Sequence, residues 1–393
     1  MNKFCKTVAL IGLGLCFAVA PSQAKVKGHW HGFVAQGVIR TDDSSFVDPE
    51  KEWSPKLTEL GINGSVRLTS TVRLAGQAVY LNGGNRYPEG ERLDYLFFDF
   101  DIFDKESLNF NLHLGRYKNY HWLYSATRDV PHTRPSIILP QSIYFDGFRD
   151  IAVGSDGAAI VGSYSNDVGE WEFNWSYGNS PVSRKQVQTF FSDFSQGSID
   201  QDFTHQLSAF LRPKAGQLQV GVSLLDSDFS YREGEQDVLQ NGVATSQRVM
   251  FTLQYAAEKW DLTSEIMQER VIFRGILADG FLQDTKGQGG YIQGRYFLNP
   301  NITLLARLDI LDVNKDDRGG QLFQQRTGVP DYFSFQDTAT LGLTWNFRQN
   351  WRLQAEFHRV KGSGRITPIL FQDVANNSEK YTNIFALQAT YWF

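Results

Sequence analysis

The sequence predicts an all-β fold, a 16-stranded antiparallel transmembrane β-barrel, and three observations lead to this fold class. Segments of alternating polarity recur along the chain, each about ten residues long, which is the length of a tilted strand that crosses a bilayer. The connections between these segments are alternately short and long. After the first residues, no stretch approaches the roughly 18 consecutive apolar residues of a helical membrane span.

The alternation is clearest at the end of the chain. One mostly apolar face comprises Tyr381, Asn383, Phe385, Leu387, Ala389, Tyr391 and Phe393. The other face is more polar, with Ile384 and Trp392 as exceptions. A period of two with aromatic residues at both ends suits a strand between lipid and water. Bacterial outer-membrane barrels typically end on such a strand with a terminal Phe, and Phe393 resembles that signal.

Period-two patterning predicts sixteen strands in all. They are 29–39, 57–68, 72–81, 92–103, 108–116, 156–165, 170–179, 202–213, 217–227, 246–257, 260–271, 288–298, 301–312, 335–347, 351–361 and 381–393. Short turns follow the even strands, and longer polar loops follow nearly all the odd ones, as in barrels with periplasmic turns and extracellular loops. The even number lets the last strand pair with the first, and sixteen strands enclose a water-filled lumen.

The alternation also assigns side chains to the two surfaces of the wall. In strand 301–312, Leu304 and Leu308 are expected to face lipid and Arg307 the lumen. An Arg or Lys that faces mid-bilayer lipid would cost roughly 2–4 kcal/mol, so the lumen must be wet. The candidate lumen-wall charges are Arg67, Arg73, Arg307, Arg352, Asp99, Asp101 and Glu356.

Residues 1–24 predict a cleaved signal peptide. Lys3 and Lys6 precede an apolar run over residues 8–20, and small residues at Ser22 and Ala24 suit a signal peptidase. Residues 25–393 are then expected to form one barrel domain in the outer membrane, in contact with the lipid bilayer.

Composition excludes several function classes. Both cysteines, Cys5 and Cys16, lie in the signal, so the mature chain has no disulfide, thiol nucleophile or thiolate metal site. Removal of Lys3 and Lys6 changes the formal charge from −5 to −7, which argues against nucleic acid as a partner. The aromatic share of 14% fits interfacial girdles, although a soluble β protein with aromatic-rich strands is an alternative.

The connection 117–155 is much longer than the others. A structureless loop of this length is normally functional or disordered. Disorder is disfavoured because Trp122, Tyr144 and Phe148 are costly to leave in water. We therefore expect this third extracellular loop to pack against the inside of the wall.

Motifs in this loop resemble a known family. Gly115-Arg116 and Lys118 begin it as G-R-x-K, and T-R-D and R-P-S-I-I-L-P-Q-S-I-Y follow over 127–144. These motifs resemble porins of the phosphate-selective porin O and P type and related uncharacterised porins. The resemblance implies a homotrimer in which the third loop folds inward and narrows a channel for small hydrophilic solutes or anions.

The loop charges are the candidate selectivity residues. They are Arg116, Lys118, Arg128, Arg134, Arg149 and Asp129. Guanidinium groups are permanently charged and can pass carboxylates or phosphates. Arg–Asp pairs that anchor the loop explain the same residues equally well. Arginines on the loop and wall, opposite the wall carboxylates, would create a transverse field, and the hypothesis is a weak anion preference.

Other functions find less support in the sequence. Asp312-x-Asn314-x-Asp316 resembles half of a calcium loop, but Asp317 stands where its Gly is required. Neither a G-x-S-x-G nor an H-E-x-x-H motif of hydrolases occurs. We therefore expect no metal, no cofactor and no enzyme activity. A surface hydrolase and an adhesin or structural barrel are the alternatives to a passive channel.

Overall fold

The computed structural model describes residues 28–42, 44–48, 52–152, 154–191, 195–365 and 379–393. The predicted signal peptide, residues 1–24, lies outside the described residues. The side chains of Asp150, Lys185, Thr189 and Phe190 are also not described.

Sixteen strands form one closed antiparallel barrel, which confirms the predicted fold class. They are β1 Gly28–Thr41, β2 Thr58–Arg67, β3 Val72–Asn82, β4 Gly90–Lys105, β5 Leu108–Lys118, β6 Gly154–Ser165, β7 Gly169–Asn179, β8 Ser198–Pro213, β9 Leu218–Arg232, β10 Gly242–Ala256, β11 Trp260–Arg274, β12 Leu282–Asn299, β13 Ile302–Asp312, β14 Phe335–Arg348, β15 Trp351–Gly362 and β16 Tyr381–Trp392. Each strand pairs with its neighbours in the chain, and β1 pairs with β16.

The two ends of the barrel differ in their connections. Turns of two to four residues follow the even strands, whereas loops of seven to thirty-five residues follow the odd ones. The loops contain the short helices Arg149–Ala152, Arg184–Phe191 and Gln321–Thr327, which the sequence analysis did not predict. The end of the barrel that carries the long loops is the loop end, and the opposite end is the turn end.

Several strands reach further toward the loop end than predicted. β12 begins at Leu282, six residues before the predicted start, and pairs with β11 up to Arg274. The residues that extend β12 are mostly polar. Beyond the bilayer both faces of a strand meet water, so the backbone ladder continues where apolar alternation ends.

Burial follows the predicted alternation. On β13, Leu304, Leu308 and Ile310 are exposed on the outer surface, whereas Arg307 and Asp309 are buried on the inner surface. This distribution suits a wall with lipid outside and polar groups inside. The predicted facing of this strand is therefore confirmed.

The strand that closes the barrel makes a close backbone approach. The N–H group of Phe393 donates to the carbonyl of Gly32 at 3.0 Å, and Gly32 returns the bond at 3.1 Å. A Cβ atom at position 32 would lie 2.4 Å from the Phe393 ring, so the ring needs a glycine there. Trp392 lies opposite Phe33 in the same pairing.

None of the helices in the described part of the chain combines the length and the apolarity that a membrane-spanning helix needs.

We expect Leu308→Arg to lower the free energy of unfolding by roughly 2–4 kcal/mol, because it would place a charge on the lipid-facing surface. Leu308 is 57% exposed on that surface. The measurement is equilibrium unfolding by guanidinium in lipid vesicles. Leu322→Arg is the control, because Leu322 is 48% exposed but lies in a loop helix. Equal losses in both variants would contradict the assignment of the lipid-facing surface.

Candidate functional site

The loop between β5 and β6 spans residues 119–153, somewhat less than the predicted 117–155, because both strands extend further. It contains two 3-10 helices, Pro131–Thr133 and Asp146–Phe148, and the helix Arg149–Ala152. Its buried apolar side chains are Trp122, Ile137, Ile138, Leu139, Ile143, Tyr144 and Ile151. The third loop is therefore well packed.

Carboxylates of the wall bind the backbone of this loop. Glu356 on β15 accepts hydrogen bonds from the N–H groups of Ile137 and Ile138, the second at 3.2 Å. Asp309 on β13 accepts a bond from the N–H group of Gln141 at 2.8 Å. Bonds to charged acceptors are stronger than those between neutral groups, so they fix the position of the segment.

Other strands hold the beginning and the end of the loop. The hydroxyl of Tyr144 donates to Glu265 on β11 at 2.6 Å. The ring of His121 lies 2.9 Å from the hydroxyl of Ser176 on β7 and 3.0 Å from that of Ser208 on β8. The loop therefore contacts β7, β8, β11, β13 and β15.

Two predicted wall arginines also contact the loop. Arg307 donates to the carbonyl of Ile138 at 2.8 Å. Arg352 donates to the carbonyl of His132, whose ring stacks on Trp392 with centroids 4.7 Å apart. Both arginines bind neutral acceptors, and neither forms an ion pair within the described residues.

The loop carries a buried ion cluster. Asp146 binds two arginines, Arg128 at 2.9 Å and Arg86 from the loop between β3 and β4 at 2.8 Å. Arg128 also donates to the carbonyl of Tyr144 at 2.7 Å. Each of these three charged side chains is at most 5% exposed. A buried charge of this kind needs its partners, because removal of one leaves the other uncompensated.

The second half of the cluster joins the loop to β2. Arg149 lies 2.5 Å from Asp129 and 3.8 Å from Glu59, and Arg134 donates to Glu59 at 2.9 Å. The loop anchor, as we call the whole cluster, comprises Arg86, Arg128, Arg134, Arg149, Glu59, Asp129 and Asp146. It has four cations and three anions.

The loop anchor shifts the ionisation of its carboxylates. Burial raises the pKa of Asp146, but the charges of Arg86, Arg128 and Arg149 outweigh it and hold the pKa below its usual range. For Asp129, the same balance between burial and Arg149 also lowers the pKa. Both carboxylates are therefore ionised at neutral pH.

The loop histidines are neutral at neutral pH. Burial lowers the pKa of His121 to about 3, and burial together with Arg352 and Arg134 lowers that of His132 to about 4. A histidine with so low a pKa serves as a hydrogen-bonding and stacking group.

Lys118 and Arg116, the two predicted site residues at the start of the loop, lie on different surfaces of the barrel wall. Lys118 lies inside, 2.7 Å from Asp94, and both side chains are buried. Arg116 shares its face of the sheet with exposed Leu96 on the outer surface, where it binds Asp156 at 2.7 Å. The structure therefore brings Lys118, but not Arg116, toward the loop anchor.

The remaining predicted wall residues lie together at the turn end. Arg73 binds Asp99 on the neighbouring strand, with Nε at 3.0 Å. Asn111 donates to Asp99 at 2.7 Å and to Asp101 at 2.9 Å. Arg67 donates to a carbonyl of the adjacent turn. Arg73 and Asp99 neutralise each other, whereas Arg67 and Asp101 bind neutral groups, and none of the four contacts the loop anchor.

Two cavities lie on either side of the third loop. One of about 310 Å³ lies toward the loop end, between the third loop and strands β8 to β11. The other, of about 380 Å³, lies toward the turn end and is lined by Asn109, Asn111, Glu172 and Asn174 among others. Trp122 borders both cavities.

No group of three or more His, Cys, Asp or Glu side chains that could hold a metal ion occurs within the described ranges.

Comparison with known proteins supports a relation to porins. Residues 232–393 match the family model described as phosphate-selective porin O and P. The chain is related to the outer-membrane porins. The matched residues do not include the third loop. The motifs of that loop also resemble porins, so two separate parts of the chain point to porins. No curated protein matches the chain in sequence.

Solved structures of outer-membrane proteins share the fold over nearly the whole chain. The outer membrane channel DcaP of Acinetobacter baumannii has a TM-score of 0.56 at 12% identity and covers 96% of this chain and 100% of its own. The anion-selective porin from Comamonas acidovorans has a TM-score of 0.53 at 11% identity, with 94% and 100% covered. OmpT of Vibrio cholerae in its trimer form has a TM-score of 0.53 at 11% identity, with 93% and 99% covered. The porin relation gives this barrel an outer-membrane location.

We expect Asp146→Asn to destabilise the folded third loop by roughly 3–5 kcal/mol, because it leaves Arg86 and Arg128 buried without their shared anion. Hydrogen exchange of the amides in 119–152 would measure the loss of protection. Asp284→Asn is the control, since it breaks an exposed pair with Arg270. Unchanged protection in Asp146→Asn would contradict an anchoring role.

The loop anchor should resist moderately acidic pH. The folded-state pKa of Asp129 and of Asp146 is lowered, so their stabilising contribution is present above the unfolded value of about 3.9 and is lost as the pH falls through the still lower folded pKa. Pepsin should therefore leave 119–152 intact at about pH 5 and cleave it only below about pH 3.9. Asp146→Asn should already be cleaved at the higher pH, and equal cleavage of the native chain there would refute the expectation.

Proposed function

We propose that this protein is a porin through which small hydrophilic solutes and ions diffuse passively across the outer membrane, with the third loop folded into the lumen as its constriction. One observation carries the proposal. Side chains on β2, β7, β8, β11, β13 and β15 all contact residues of the same loop. These strands are spread around a closed barrel, and one segment can reach them together only from the inside.

The arginines of the loop have mainly an anchoring role in this proposal. Arg128, Arg134 and Arg149 are each at most 3% exposed, so a passing solute meets little of their surface. Their charge still acts on the lumen, because buried charges are screened less than exposed ones. Among the described residues, Arg307 and Arg352 lie near the loop without ion pairs, but so do the carboxylates Glu265, Asp309 and Glu356. The loop anchor itself has one more cation than anion, and this charge supports a weak anion preference.

The proposal also includes a homotrimer and the absence of catalysis. The trimer is supported by the resemblance of the third loop and by the porin fold, which the trimeric OmpT shares. The related proteins are channels and not enzymes. Selection by size and charge, and not a reaction, is therefore the function proposed, in preference to a surface hydrolase or a structural barrel.

Replacement of residues 120–151 by a short Gly-Ser linker should increase single-channel conductance several-fold, because the lumen of a sixteen-stranded barrel is wide without an obstruction. Planar-bilayer recording in KCl measures the effect. Shortening the loop 313–334 is the control, since its helix Gln321–Thr327 has no buried residue. Equal conductance with and without the third loop would rule out a constriction there.

Reversal potentials under a KCl gradient should show a modest preference for chloride, because the loop anchor has one more cation than anion and raises the local anion concentration. Arg307→Gln should reduce the preference, whereas Arg270→Gln on the outer surface should leave it unchanged. Clear cation selectivity of the native protein would contradict this part of the proposal.

A further inference from the structure

The cavity toward the loop end is mainly apolar, which is unexpected in a channel for hydrophilic solutes. Its apolar lining comes mainly from the third loop, from strands β8 to β11 and from the loop after β11, and includes Ile143, Phe145, Leu225, Phe229, Phe273 and Ile276. With about 310 Å³, it reaches the lower end of the size range of small-molecule sites.

Charged groups are concentrated on one side of this cavity. Arg248 on β10 lies 3.0 Å from Glu269 on β11, and Arg365 lies 3.4 Å from the same carboxylate. Two guanidinium groups therefore share one anion, which leaves a net positive charge beside the apolar wall. The Arg248 guanidinium also lies 5.1 Å from the centroid of the Trp122 ring.

Donors of this group lack acceptors. The Nε–H groups of Arg248 and Arg365 are buried, and neither has a hydrogen-bond partner among the described residues. The Arg248 side chain is only 10% exposed. A buried donor without an acceptor costs about 1–3 kcal/mol, and an anion in the cavity would remove that cost. The apolar wall gains nothing from a small hydrated ion but would favour the body of a larger one.

We propose that this cavity is a binding site for an organic monocarboxylate with an apolar body, such as an arylalkanoate, on the route through the channel. The carboxylate accepts hydrogen bonds from Arg248 and Arg365, and the apolar part lies against Phe229 and its neighbours. Trp122 separates this site from the cavity at the turn end, so the bound solute lies immediately before the narrowest part of the route. The assignment rests on the proposed porin function and names its substrate class.

Single-channel recording of the native protein in KCl tests the proposal, with 3-phenylpropionate added on the side of the long loops. The aromatic carboxylate should interrupt the current at least about tenfold more often than acetate at the same concentration, because it buries a phenyl group. The neutral 3-phenylpropionamide, which has the same body without the charge, should interrupt it as rarely as acetate.

Variants separate the two halves of the site. Arg248→Gln should abolish the difference between 3-phenylpropionate and its amide. Phe229→Ser should reduce the difference between 3-phenylpropionate and acetate by about threefold and leave the carboxylate more effective than the amide. Arg270→Gln, on the outer surface next to Glu269, should behave like the native protein. Heat-modifiable migration and KCl conductance confirm that each variant is folded.

The outcomes distinguish the two proposals. A folded native barrel that carries no KCl current would refute the porin function. A conducting barrel in which 3-phenylpropionate acts no more often than acetate would refute the carboxylate site alone. Equal interruption by the carboxylate and its amide would show that the apolar wall binds without Arg248, which also overturns the proposal.

Discussion

Every backbone N–H and C=O group in the hydrocarbon of a bilayer must find its partner within the protein, and the structure depends on this constraint. The barrel meets it by closure, since β1 pairs with β16 as regularly as any two neighbours in the chain. Once the backbone hydrogen bonds are closed, the side chains on the two surfaces can differ in polarity. Leu308 faces the lipid, whereas Arg307, one residue earlier, faces the interior.

The interior of the barrel is polar, and several of its carboxylates bind the third loop. Glu356, Asp309 and Glu265 each accept hydrogen bonds from the third loop, so a segment with little regular structure gains fixed partners. Buried ion pairs contribute little net stability compared with apolar packing, but they tolerate few alternative geometries. We infer that the loop anchor specifies one position for the loop more than it stabilises the barrel.

The sequence predicted the barrel because its signals are local. Alternation and the rhythm of turns and loops are visible within each segment, and all sixteen strands were found. The site was only partly predictable, because its contacts are remote in the chain. Arg128 and Asp129 were recognisable as loop charges, but Arg86 lies 60 residues from Asp146 and no local pattern joins them. The different positions of Arg116 and Lys118 were not predicted either, because residues two apart on a strand normally share a face.

The outer surface near the loop end carries ion pairs such as Arg116–Asp156 and Arg270–Asp284. A charge is costly in hydrocarbon and costs little at the level of the head groups. At the opposite end, the exposed aromatic rings of Trp345 and Trp351 favour the interface. These two belts give the barrel a preferred depth in the membrane. A bilayer of different thickness would tilt or strain the barrel, so its orientation in the membrane depends on the lipid composition.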